Sequence, residues 1–66
     1  MTVTSCVLGN GAVEHSMRLG RRVERLAVQS HNVVGRWHLL VRLDSTLLPY
    51  DVADDEGEAV RWVVEG

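Results

Sequence analysis

The chain contains no lysine, phenylalanine or isoleucine, and only one proline and one cysteine. With Cys6 alone, no disulfide can form within the chain, which excludes the disulfide-rich secreted class. No apolar run approaches the ~20 residues needed to span a bilayer. The opening Met1-Thr2-Val3-Thr4 has neither the positive start nor the apolar stretch of a signal peptide. A cytoplasmic protein without membrane association is the expectation. All seven non-histidine cations are arginine. A GC-rich genome accounts for that skew; selection for guanidinium chemistry would give the same pattern.

What is present is small. The 66 residues make one domain, and a chain of this length buries only about 60% of the surface it exposes unfolded. With disulfides excluded, metal binding or oligomerisation are the usual compensations, so a homo-oligomer, most simply a dimer, is one expectation.

Residues 2–8 read as a short β-branched strand ended by Gly9-Asn10-Gly11, which is either a hairpin turn, since Asn-Gly is a strong hairpin signal, or equally the loop leading into a helix. On a helical wheel over residues 13–31, Leu19, Val23, Leu26 and Ala27 fall on one side. Arg18, Arg21, Arg22 and Arg25 fall on the other. The rival reading is two strands, residues 12–19 and 23–30, broken at Gly20, but their apolar phase slips between Val23 and Leu26. Residues 36–43 alternate, with Trp37, Leu39, Val41 and Leu43 on one face and Arg36, His38 and Arg42 on the other, Leu40 being the exception. Residues 47–53 form a further strand, at an edge or bulged because Pro49 has no amide hydrogen. Residues 59–64, with Val60, Trp62 and Val64 alternating, read as a last strand in a hairpin with it.

The expected fold is therefore an α+β domain of order β-α-β-β-β, one helix on a three- to four-stranded, mostly antiparallel sheet. The alternative is a small all-β barrel of about six strands.

Motifs for chemistry are weak. Cys6, His15, His31 and His38 could supply a nucleophile and base or zinc ligands, but the nearest histidines, His31 and His38, lack the close spacing of a structural zinc site. Cys6 on a strand reads as a small buried hydrophobe, and His31 as the cation at a helix end. Asp54, Asp55, Glu56 and Glu58 read as a solvated turn or a binding surface, not as an acid–base pair or calcium loop. No cofactor, metal or catalytic residue is assigned.

Charge is the most specific feature. Residues 12–36 hold five arginines against Glu14 and Glu24, whereas residues 44–66 hold seven acidic side chains against Arg61. The expected function is a non-enzymatic protein-interaction module of inhibitor or adaptor type, of the size and character seen among phage and mobile-element proteins. Its partner-binding residues would be Arg18, Arg21, Arg22, Arg25, Asp54, Asp55, Glu56 and Glu58. The alternative is nucleic-acid binding through an arginine-rich helix face, against which stands the net charge of −2.

Overall fold

The computed structural model describes residues 2–66. Five strands, β1 (Thr4–Val7), β2 (Val13–Arg18), β3 (Val23–Gln29), β4 (Trp37–Leu43) and β5 (Thr46–Ala53), precede one helix, α1 (Glu56–Glu65). The strands pair antiparallel in the order β1-β2-β3-β4-β5, each beside its neighbour in sequence. The α+β class, with one helix packed on an antiparallel sheet, is as expected. The order of elements is not β-α-β-β-β, because the helix lies at the end of the chain.

Residues 13–31 form the β2–β3 hairpin, which was the rival reading. The apolar phase slips there because β3 is a central strand with two buried faces. Leu26 and Ala27 are adjacent and both buried, and successive side chains of a strand point to opposite faces. Ala27 joins Met17, Trp37, Leu39, Ala53, Ala59 and Val63 in the core beneath α1. Leu26 points the other way and is outside that cluster.

The second correction is α1, where residues 59–64 were expected to be a strand. Asp55 is its N-cap, accepting a hydrogen bond from the Glu58 amide at 2.7 Å. Glu56 and Glu58 lie in the first turn, where the helix dipole favours anions. Ala59 and Val63, four residues apart, are the buried stripe. The signal was in the sequence: Asp55-x-x-Glu58 has the spacing of a capping box, followed by Ala59, Trp62 and Val63 at helical intervals.

The turns follow their residues. Gly11 (φ 88°) closes the β1–β2 loop, with Asn10 Oδ1 accepting from the Ala12 amide at 2.9 Å. Asp44 (φ 57°) turns β4 into β5, and its amide donates to the Arg22 carbonyl at 2.8 Å. That bond joins the β4–β5 and β2–β3 turns. β5 is an edge strand, and its register shifts opposite Leu39 and Leu40, leaving Tyr50 unopposed beside Pro49. The expectation from Pro49 was an edge or a bulge, and β5 has both. Trp37 is core, and Trp62 is half-buried against the core. The helix is not long and apolar enough to cross a membrane.

Candidate functional site

The strand register separates the charges along the strand axis. Arg18 ends β2, and Leu19, Gly20, Arg21 and Arg22 make the β2–β3 turn, at the end where Val23 faces Leu43 and Leu43 faces Thr46. Asp54 to Glu58 follow Ala53, which faces Trp37 at the opposite end of the same strands. The arginine segment is thus a hairpin and the acidic segment a helix start, the reverse of the helix and hairpin expected for them.

At the arginine end, Arg18, Arg21, Arg22 and Arg42 surround a polar recess of about 140 Å³ completed by Val23, Glu24 and Asp44. Arg42 Nη1 pairs with Glu24 Oε1 at 3.2 Å, and the well-exposed Arg22 Nε with Asp44 Oδ1 at 3.4 Å. Arg18 and Arg21 are exposed and have no ion pair among the described residues. Sequence reasoning missed Arg42, because it comes to the recess only through the β3–β4 register that sets it opposite Glu24.

Arg25 is separated from this group. It projects from the helix-covered face of β3, where Nε donates to the Val63 carbonyl at 3.0 Å and Nη2 to the Val64 carbonyl at 3.1 Å. Its guanidinium lies 5.9 Å from the Trp62 ring centroid. The last turn of α1 has no basic residue of its own, so Arg25 supplies the cation that a helix C-terminus favours.

The acidic residues are also partly occupied within the fold. Asp55 caps α1, and Glu56 Oε2 lies 2.8 Å from His15 Nε2. Asp54 and Glu58 are exposed.

His15 joins three elements. Its Nδ1 is 2.6 Å from Ser5 Oγ on β1, its Nε2 reaches Glu56 on α1, and its ring stacks on Trp37 of β4 at 5.2 Å. Hydroxyl, imidazole and carboxylate are the parts of a nucleophile–base–acid relay. None of the three principal recesses is lined by Ser5, Cys6 or any histidine. What the arrangement does in the fold is tie an edge strand and the helix start to the sheet. His31, expected at a helix end, sits in the β3–β4 loop, and His38 is exposed on the uncovered sheet face.

Cys6 is exposed, not buried as expected, because β1 is an edge strand. Its Sγ lies 3.7 Å from Glu14 Oε2, directly across the β1–β2 pair. Desolvation, and then the charge and hydrogen bonding of Glu14, raise its pKa above the ordinary thiol value. Among the described residues, no three His, Cys, Asp or Glu side chains gather as a metal-ligand set.

No family model matches the chain, and neither does any curated protein or solved structure.

Proposed function

We propose that the chain is a non-enzymatic, cytoplasmic protein-interaction module of inhibitor or adaptor type, binding an acidic surface of a partner protein through the arginine end of its sheet. One observation carries this: Arg18, Arg21, Arg22 and Arg42 converge on one recess where two carboxylates, Glu24 and Asp44, pair with Arg42 and Arg22, while the acidic run from Asp54 to Glu58 lies at the far end of the strands. Two of the four, Arg18 and Arg21, have no ion pair among the described residues, so their guanidinium groups can take a partner's carboxylates. The negative pole at the other end orients the approach, since charge complementarity sets encounter rate and register more than affinity.

A polyglutamate peptide and a duplex oligonucleotide of matched charge, each titrated at low salt, test the reading. Polyglutamate binding that is lost in Arg21→Glu/Arg22→Glu and kept in Asp54→Arg/Glu58→Arg is the expected result. No binding to polyglutamate overturns it. Tight binding to the duplex, falling steeply with salt as counterion release requires, would move the function to nucleic acid.

A further inference from the structure

The helix covers one face of the sheet only, and the register specifies what the other face presents. At the arginine end, Arg18, Glu24, Arg42 and Leu47 lie side by side across β2 to β5. Thr4, Ser16, Leu26, Leu40 and Pro49 form the middle row. The row at the acidic end is Cys6, Glu14, Val28, His38 and Val52. The β3–β5 half of this face is therefore apolar around Leu26 and Leu40. Leu47 and Val52 on it are each 47% exposed. Among the described residues, no strand or helix lies over it.

From these rows we infer that the uncovered face is an interface with a second copy of the chain, stacked about a twofold axis that runs across the strands in the plane between two sheets. Under that operation each strand lies over its own copy running the opposite way, so the two end rows exchange. Leu40 and Pro49 meet their own copies in the middle row, beside Leu26, which its own chain already buries, and Leu47 meets Val52 of the second copy. Arg18, which has no ion pair among the described residues, comes over Glu14 of the second copy, and the symmetry makes that pair twice. Glu24 comes over Val28, and Arg42 over His38 while held back by its own Glu24. A twofold axis along the strands would instead set each end row over itself in reverse order: through β3 it brings Glu24 onto Glu24 and Arg18 onto Arg42, and through β4 it brings Arg42 onto Arg42. The charges favour the first arrangement over these two.

The size is sufficient. Five strands about 4.8 Å apart and about seven residues long present roughly 500 Å² per copy. Two such faces bury about 1,000 Å², the threshold for a specific interface, and sheets stacked about 10 Å apart in this way are an ordinary sandwich. The edges are less suited to association. Pro49 and the register shift interrupt β5, as devices that blunt edges do, and β1 is four residues long.

Sedimentation equilibrium across the micromolar range should show a dimer. Val52→Glu and Leu47→Glu, at half-exposed positions that leave the core intact, should give folded monomers by circular dichroism. Arg18→Glu and Glu14→Arg should each weaken the dimer by about tenfold or more, since each sets two pairs of like charges together. An equimolar mixture of the two variants should restore it, because each then supplies what the other lost. A folded wild-type monomer throughout the range overturns the inference. So does a dimer that is indifferent to Val52→Glu, or a mixture no tighter than its separate components. Polyglutamate binding by Arg21 and Arg22 is read independently of all these outcomes.

Discussion

Arg25 and Val63 are 38 residues apart in sequence, yet the Arg25 guanidinium donates to the Val63 carbonyl at 3.0 Å and closes the end of α1. One arginine of a dense cluster is thereby a structural cation. Arg25→Ala removes two hydrogen bonds from a charged donor and the contact with Trp62, and should cost about 2–3 kcal/mol. Arg21→Ala, at an exposed turn position, should change stability by less than about 0.5 kcal/mol. Urea denaturation followed by tryptophan fluorescence separates the two.

Asp55→Ala should cost about 1 kcal/mol, the usual loss on removing an N-cap. Asp54→Ala, one residue outside the cap, should cost little. Thermal melts of the two variants side by side give the comparison.

His15→Ala deletes two side-chain hydrogen bonds and the stack on Trp37, a loss of about 2–3 kcal/mol. The effect should be local as well as global. Amide exchange should quicken in β1 and in the first turn of α1 before it changes in β3 and β4. Uniform quickening would mean that His15 is only another core side chain.

Cys6 should alkylate slowly for an exposed thiol. The thiolate is the reactive species, and the raised pKa lowers its fraction at pH 8. Glu14→Gln removes the neighbouring negative charge, so the thiol should ionise at lower pH and react several-fold faster with iodoacetamide. An unchanged rate would show that desolvation alone governs it.

The class of fold was legible in the sequence, and so were β4 and β5, whereas Gly9-Asn10-Gly11 marked a break without deciding between a turn and a loop into a helix. In β4 the face under α1 is apolar, while His38 and Arg42 mark the other. Pro49 announced an edge or a bulge, and β5 has both. The β2–β3 segment was not legible, because Leu26 and Ala27 answer to different faces and together imitate a helical stripe. The helix was hidden for the converse reason: Val60, Trp62 and Val64 alternate, whereas the buried pair is Ala59 and Val63. Of the arginine site, Arg18, Arg21 and Arg22 were visible as a run. Arg42 joined and Arg25 left through strand register and a helix end, which spacing along the chain does not encode.

The strictly sequential strand order has a kinetic consequence. Each hairpin is closed by a short connection, so β1 to β5 can zip one after another at low loop-closure cost. Only α1 must return across the finished sheet to reach Met17, Ala27 and Leu39. The helix is therefore the last element to arrive and the one that makes the rest persist. Until residues 56–65 dock, both faces of the sheet stand bare. The Arg25–Val63 bond marks the step at which a transient meander becomes a folded protein.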